Sequence, residues 1–404
     1  MNDASKNAAA AALPKITLKA GEQRRVLFGH PWVYSNEIAM DAAAKALPLG
    51  ATVRLVANDG RALGTAMFNP RTLIAARLWS REAQTEVDGA LLADRLQRAL
   101  ALRQKLFEAP YYRLIHAEAD GLPGTVIDRY GDTLAVQVNC AGVEQLLPDL
   151  LAALDQVLQP AAVLLRNSGG MRTLEGLESY ERWAKGDRGE PIEIAENGAR
   201  LLADLSGGQK TGWFFDQRDN RAMVAALARD ARVLDVYCYS GGFAIQAARA
   251  GAKEVLAVDS SEPALTLAAK AAELNGVTAR CRFERGDAFE RLASIANSGE
   301  KFDIVVADPP AFVKSKKELN QAARGYRKLA RLAARVVAPG GFLFIASCSH
   351  HMTPELFAEQ VARGIWDAER PARILKSVGA AADHPVHPAL PETAYLKGLL
   401  IALD

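Results

Sequence analysis

Between Ile16 and Arg81 the chain breaks short apolar runs with Gly, Asn and Asp, as in ATVRLVANDGRALGTAMF and LIAARLW. That pattern predicts strands of a small β-rich unit. Asn58-Asp59-Gly60 supplies a hairpin turn, because Asp-Gly pairs accept the positive φ that tight turns need. The stretch LLADRLQRALALRQKLF at 91–107 has helical apolar spacing and predicts a connector. Strand-like runs at 112–116, 125–128 and 133–139 follow, then a helix from about 143 to 158 and a strand at 161–166. With a second hairpin turn at Asn197-Gly198, they predict a central α+β unit. From Gln217 the period changes. The helix QRDNRAMVAALARD leads to the strand VLDVYC, the helix FAIQAARA, the strand EVLAVDSS and the helix EPALTLAAKAAELNG. The strands RCRFERGD and DIVVADPP, a basic helix, and the strands FLFIASCS and YLKGLLIAL complete the chain. Apolar, β-branched strands alternating with amphipathic helices predict a parallel, doubly wound α/β sheet. The expected division is a loose tail over 1–13, a β unit over 14–88, an α+β domain over 89–204 and an α/β domain over 205–404. No internal repeat is apparent.

Composition narrows the class. Half of the 404 residues are hydrophobic and 24% are charged, enough for a sizeable core and against wholesale disorder. The four cysteines, at 140, 238, 281 and 348, form no CxxC pair, and the six histidines show no metal-ligand spacing with them. Reduced thiols and a cytoplasmic location are the simplest reading, with no metal. No apolar run reaches membrane-spanning length, and MNDASKNAAAAALPK lacks the order of a signal peptide. The net charge of +2 hides local imbalance. Residues 1–85 hold eleven basic and six acidic side chains, giving +5, and residues 310–335 hold eight basic side chains against Glu318, giving +7. The remainder is therefore acidic. Lys314, Lys316, Lys317, Arg324, Arg327 and Arg331 make the second patch a candidate RNA-binding face, because a polyanion is held by such clusters. The alternative is a solvated helix face.

In a doubly wound sheet, ligands bind beyond the carboxyl ends of the strands, at the switch point. Asp235 lies near the end of the first such strand, followed by Tyr237, a turn with Gly241-Gly242, and Phe243. Asp259 ends the second, Asp287 follows the third, and Asp308 ends the fourth ahead of Pro309-Pro310. A pyrophosphate site would want G-x-G-x-x-G, which is absent. A glycine turn among carboxylates repels phosphate and suits a cofactor with amine, ribose and sulfonium, that is, S-adenosylmethionine. Asp259 with Ser260 would take the ribose, Asp287 with Ala288 and Phe289 the adenine, and Asp235 with the Gly241 turn the methionine part. Helix capping or simple strand ends are the competing readings for these acids.

These residues resemble class I methyltransferases, and specifically the large-subunit ribosomal RNA methyltransferase I family, over nearly the whole chain. Gly29-His30-Pro31-Trp32-Val33-Tyr34-Ser35 is similar to the start of its N-terminal PUA domain, an RNA-binding β-barrel. Glu118-Ala119-Asp120-Gly121-Leu122-Pro123-Gly124, with Asp128-Arg129-Tyr130-Gly131, resembles its central domain. Lys210-Thr211-Gly212-Trp213-Phe214-Phe215-Asp216-Gln217-Arg218 resembles its signature leading into the methyltransferase domain, and contributes Phe214 and Arg218 to the expected cofactor site. Asp308-Pro309-Pro310-Ala311-Phe312 and Ser347-Cys348-Ser349 are similar to its fourth and sixth motifs. The resemblance implies a Rossmann-like sheet behind a PUA barrel, S-adenosylmethionine as cofactor, large-subunit ribosomal RNA as partner and 5-methylcytosine as product. It is compatible with a homodimer.

The chemistry follows from the base. Carbon 5 of cytosine is a poor nucleophile until a thiolate adds to carbon 6. Cys348, expected beside Asp308 on a neighbouring strand, is the candidate nucleophile, and Asp308 would hold the cytosine edge. A small buried cysteine is the competing reading. Cys238 reads as packing, Cys140 and Cys281 as structural, and His350 and His351 as candidate thiol bases or a solvated loop. Many RNA cytosine methyltransferases carry a second cysteine where this chain has Ala311, so the base that removes the carbon 5 proton is unassigned. Two rivals remain: an amino-methyltransferase using Asp308-Pro309-Pro310 with Phe312 stacked on guanine or adenine, and a non-catalytic RNA-binding factor.

Overall fold

The protein is described here by a computed structural model covering residues 12–189, 191–205, 207, 212–312 and 318–404. It forms two compact units. The first comprises residues up to Leu106, Arg113–Asp187 and Val386–Pro391; the second comprises Phe107–Tyr112, Arg188–Pro385 and Glu392–Asp404.

The first unit opens with β1 (Lys15–Thr17), α1 (Gln23–Leu27), β2 (Trp32–Tyr34), α2 (Ala42–Ala46), β3 (Ala51–Val56), β4 (Ala62–Phe68) and β5 (Ile74–Ser80). The strands form one sheet in the order β1-β3-β4-β5-β2. Val53, Leu55, Ala66, Phe68 and Ala76 alternate inward to build its core, with Ile16, Leu18, Val33 and Ile38. Gly60, at φ +85°, makes the β3–β4 turn where the sequence predicts one. The helix α3 (Gly89–Leu106) follows, then β6 (Tyr111–His116), β7 (Thr125–Tyr130), β8 (Thr133–Val138), α4 (Ala141–Gln145), α5 (Leu147–Leu158), β9 (Ala162–Asn167), α6 (Gly170–Glu175) and β10 (Tyr180–Lys185). Their strands make a second sheet in the order β10-β9-β8-β7-β6. The single helix expected over 143–158 is two, because Pro148 has no N–H to carry a helical ladder through and sits instead in the first turn of α5. Buried charge ties this unit internally: the Arg77 guanidinium donates to Glu118 at 2.7 Å, and Asn69 donates to Glu175 at 2.9 Å.

The second unit begins with a two-stranded hairpin, β11 (Ile192–Glu196) and β12 (Ala199–Ala203), turning at Asn197 and Gly198, both with positive φ. Then come α7 (Arg218–Ala225), β13 (Arg232–Val236), α8 (Gly242–Arg249), β14 (Glu254–Asp259), α9 (Glu262–Leu274), β15 (Cys281–Arg285), α10 (Ala288–Ser298), β16 (Phe302–Ala307), α11 (Leu319–Val336), β17 (Val337–Ser347), α12 (Pro354–Trp366), β18 (Ala372–Val378) and β19 (Lys397–Leu403). The seven-stranded sheet has the order β15-β14-β13-β16-β17-β19-β18. The five strands from β13 to β17 are mutually parallel, whereas β19 runs antiparallel to both β17 and β18. The sheet is therefore mixed rather than wholly parallel, since the last crossover returns as a hairpin-like pair and not through a helix. Chain order reverses about β13, which has β14 on one side and β16 on the other, so the crevice opens beyond the carboxyl ends of these strands. The core lies between that sheet and helices α10, α11 and α12, around Leu234, Leu256, Val305, Leu329, Phe357 and Ile401.

Candidate active site

Beyond the tips of β13, β14, β16 and β17 lies a cavity of about 250 Å³. Trp213, Phe214, Tyr237, Tyr239 and Phe243 give it aromatic walls; Asp216, Asp259, Asp308 and Cys348 give it polar ones. Gln217, Arg221, Cys238, Gly242, Ser260, Pro309, Pro310, Ala311 and Leu396 complete the lining. Phe214, Tyr237, Phe243, Asp259, Ser260, Asp308 and Cys348, which come from distant segments of the chain, thus line one cavity.

The β13–α8 turn is shaped by backbone conformation. Tyr237 and Tyr239 take φ values of +65° and +49°, and Gly241 takes +84°. Positive φ is costly for a tyrosine and is held only where its surroundings over-determine it. Here the Asp259 carboxylate accepts from the Tyr239 N–H and the Ser261 N–H, both at 2.9 Å. Asp259 therefore anchors the turn and also lines the cavity, while Ser261 caps α9 by accepting from Ala264. A side chain at Gly242 would come within 2.9 Å of the Arg221 side chain, so glycine there keeps the wall thin.

Asp235 sits below this turn. It is 1% exposed and outside the cavity wall. Its Oδ2 accepts from the Ala244 N–H at 3.1 Å, while its Oδ1 has no hydrogen-bond partner. Burial, reinforced by the charges of Asp308 and Asp259, holds its carboxyl well above the usual range, against the opposing pull of the Ala244 N–H and Arg221. Asp287 caps α10, accepting from Glu290 at 3.0 Å, and it, Ala288 and Gly241 lie outside the wall. Arg218 turns away: its guanidinium donates to the Tyr111 carbonyl and lies 4.6 Å over the Phe107 ring.

Arg221 was not singled out in the sequence, yet it organises one wall. Its Nε and Nη2 donate to Glu196 at 2.6 and 3.0 Å, and its guanidinium lies 4.6 Å over the Trp213 ring. Glu196, buried at the hairpin turn, also accepts from Trp213 Nε1 at 3.1 Å and from Gln246 at 2.9 Å. A buried carboxylate with four donors is well compensated, and it neutralises the one guanidinium in the wall. Among the described residues, the remaining charged side chains of the wall are carboxylates. Such a donor set suits a sulfonium cation and ribose hydroxyls, and offers nothing to pyrophosphate.

At the β17 tip, Ser347 Oγ donates to Tyr326 Oη at 2.8 Å, and Tyr326 Oη lies 3.1 Å from Ser349 Oγ. The two hydroxyls flanking Cys348 are thus tied to α11, and Cys348 faces the cavity that Asp308 also lines. Ala307, just before Asp308, is in register with Ile345 of the adjoining strand. His350 and His351 are exposed, and the His350 ring packs 5.4 Å from that of Tyr395. Burial raises the Cys140 thiol to about 12 and the Cys281 thiol to about 11, and pushes up the Cys238 thiol. In the basic segment, Lys314, Lys316 and Lys317 lie outside the described residues. Arg324 and Arg331 are exposed, whereas Arg327 is bound to Asp367 of α12 at 2.6 and 2.8 Å. Among the described residues no cluster of His, Cys, Asp or Glu could hold a metal ion, and no helix is long and apolar enough to cross a membrane.

A sheet reversing at β13, with an acidic and aromatic cavity at its carboxyl ends, defines an S-adenosylmethionine-dependent methyltransferase. Residues 171–402 match the S-adenosylmethionine-dependent methyltransferase family, and residues 16–81 match a PUA-like domain. The chain is 38% identical over 391 residues to ribosomal RNA large subunit methyltransferase I of Klebsiella pneumoniae, covering 95% of this chain and 97% of that protein. It is 40% identical over 392 residues to the same-named protein of Aeromonas salmonicida, covering 96% and 98%. The chain belongs to the ribosomal RNA large subunit methyltransferase I family. The crystal structure of SMU.776 complexed with SAH shares its fold, with a TM-score of 0.83 at 22% identity, over 96% of this chain and 100% of that one.

Proposed function

We propose that this protein transfers a methyl group from S-adenosylmethionine to carbon 5 of a cytosine in large-subunit ribosomal RNA, through a covalent bond between Cys348 and the base, in the cytoplasm. The observation that carries this reading is that Cys348 and Asp308 line one cavity with Asp259 and the aromatic wall. Residues 14–88 would grip RNA, 89–204 form the central domain, and 205–404 carry out the chemistry.

Bound S-adenosylmethionine supplies an electrophilic methyl group on a sulfonium. Asp259 and Ser260 hold the ribose, and Phe214, Tyr237 and Phe243 enclose the apolar parts. Asp235 supports the Gly241 turn from beneath. Cys348 Sγ adds to carbon 6 of cytosine, and the displaced electron pair makes carbon 5 nucleophilic. Asp308 hydrogen-bonds the cytosine edge and offsets charge in the adduct. Carbon 5 takes the methyl group, loses its proton to a base, and the C6–S bond breaks to return the thiolate and the aromatic ring.

The amino-methyltransferase reading would stack Phe312 on the base. Phe312 instead packs 4.7 Å from the Tyr326 ring and 6.0 Å from that of Phe289, outside the cavity wall. The test is mass spectrometry of nucleosides from ribosomal RNA of cells with and without the gene. A missing 5-methylcytosine supports the reading; a missing methylated exocyclic amine refutes it.

A further inference from the structure

Lys397 is a lysine only 7% exposed, at the start of β19, which no step above uses. Lysine is seldom fully buried unless something holds its charge. Its Cα is in register with Ser347, the residue before the candidate nucleophile. Its Nζ donates to the Ser349 carbonyl at 2.6 Å and to the Met352 carbonyl at 2.7 Å. Both carbonyls belong to the Ser349–Met352 turn that follows Cys348, so the ammonium clamps that turn from the side of β19. Tyr326 fixes the same segment from α11.

Resting on the reading of Cys348 as nucleophile, we infer that Lys397 is a positioning residue that holds the Ser349–Met352 turn and serves as the fixed counter-charge for the Cys348 thiolate. Neutral carbonyls satisfy two of its N–H bonds but leave its charge uncancelled. Burial lowers the Lys397 ammonium to about 8, and a thiolate on Cys348 would oppose this. The ammonium form therefore still predominates at neutral pH. Among the described residues, the charged groups that line the cavity with Cys348 are Asp216, Asp259, Asp308 and Arg221, the last paired with Glu196, while Tyr326 of α11 bonds the hydroxyls on either side of the sulfur and His350 packs on Tyr395. The carboxylate of Asp308 disfavours a thiolate, and burial of a thiol does the same. A cation is thus required on the opposite side. In this step the S–H bond breaks, its electron pair stays on sulfur, and the proton leaves to water.

The experiment is the pH profile of iodoacetamide alkylation at Cys348, resolved by peptide mass mapping in the full-length protein, with Cys281 as internal control. In Lys397→Met the profile moves to higher pH by a unit or more, so alkylation at pH 7 falls about tenfold. Methylation turnover falls in parallel and recovers at higher pH. Lys397→Arg keeps the cation and stays near the parent profile. If Lys397→Met fails to fold, the parent protein decides alone: a Cys348 midpoint at or above that of a free thiol, about 8.5, overturns the inference. An unshifted profile in a folded Lys397→Met does the same. The two readings fail separately. Full turnover in Cys348→Ala removes the nucleophile assignment while leaving the alkylation shift to be seen.

Discussion

Replacing Glu196 by Ala removes the carboxylate beneath the aromatic wall without touching the cavity itself. Glu196 accepts from Arg221 twice, at 2.6 and 3.0 Å, from Trp213 at 3.1 Å and from Gln246 at 2.9 Å, all in a buried setting. Removing one partner of a buried pair leaves the other charge uncompensated and costs about 3–5 kcal/mol. Arg221 retains the Phe214 carbonyl at 2.7 Å and the Trp213 face, so the lower part of that range is expected. For a unit of this size about 3 kcal/mol lowers the unfolding temperature by roughly 10 °C. Trp213, Phe214 and Arg221 all line the cavity, so affinity for S-adenosylmethionine falls with stability. Urea unfolding followed by tryptophan fluorescence, with titration calorimetry of S-adenosylmethionine, measures both. The double variant Glu196→Leu with Arg221→Met removes both charges together and should regain much of the loss. A Glu196→Ala protein within about 0.5 kcal/mol of its parent would show that the network does not hold the wall.

Cys348→Ala should abolish methylation while leaving calorimetric binding of S-adenosylmethionine nearly unchanged; retained turnover contradicts the covalent route. Asp259→Ala should weaken that binding about tenfold or more, since a charge-assisted hydrogen bond is lost and the Tyr239 and Ser261 N–H groups lose their acceptor; unchanged affinity argues against a ribose contact. Asp235→Asn should flatten the pH dependence of stability. Burial raises the folded carboxyl, so the folded state keeps a proton that the unfolded chain has released. Stability from this group therefore falls as pH rises from the unfolded value of about 3.9 through the folded one. Urea midpoints of parent and variant that keep a constant gap from acid to alkaline pH would count against this. Arg324→Glu with Arg331→Glu should weaken RNA binding and lower the slope of log affinity against log salt by about one per lost phosphate contact; an unchanged slope assigns these residues to a solvated face.

The elements whose apolar period was regular were legible. The strands ending in Asp259 and Asp308, and both Gly turns, fall where their patterns predict. What escaped has physical causes. AFERLASIANS at 288–298 is a helix, but it follows a strand end so closely that the sequence reads through to DIVVADPP; Asp287 caps it. The strand β18 is exposed along most of its length, so it carries no apolar alternation to see. Antiparallel β19 has the same hydrophobic run as a parallel strand, so direction was not readable. The carboxylates at the strand tips were identified as a set, but their division of labour was not. Asp235 and Asp259 look alike in sequence, yet one is buried beneath the turn and the other reaches the cavity. Arg221, Glu196 and Lys397 carried no local signal, because a buried charge is recognisable only once its distant partner is in place.

The charges of the second unit are sorted by depth. The cavity wall presents Asp216, Asp259 and Asp308, and its guanidinium, Arg221, is neutralised by Glu196. Arg324 and Arg331 stand instead on the exposed face of α11, where Arg327 is already paired with Asp367. A phosphate entering the cavity would meet carboxylates, while a sulfonium would be drawn in. In the proposed reaction the nucleotide therefore has to be divided: its backbone stays with the outer cations, and its neutral base swings inward. That is the geometry of a base taken out of its stack. The electrostatics thus favour a neutral acceptor atom at the inner position, and a thiolate there is sustained only if a cation stands behind it, the role inferred for Lys397.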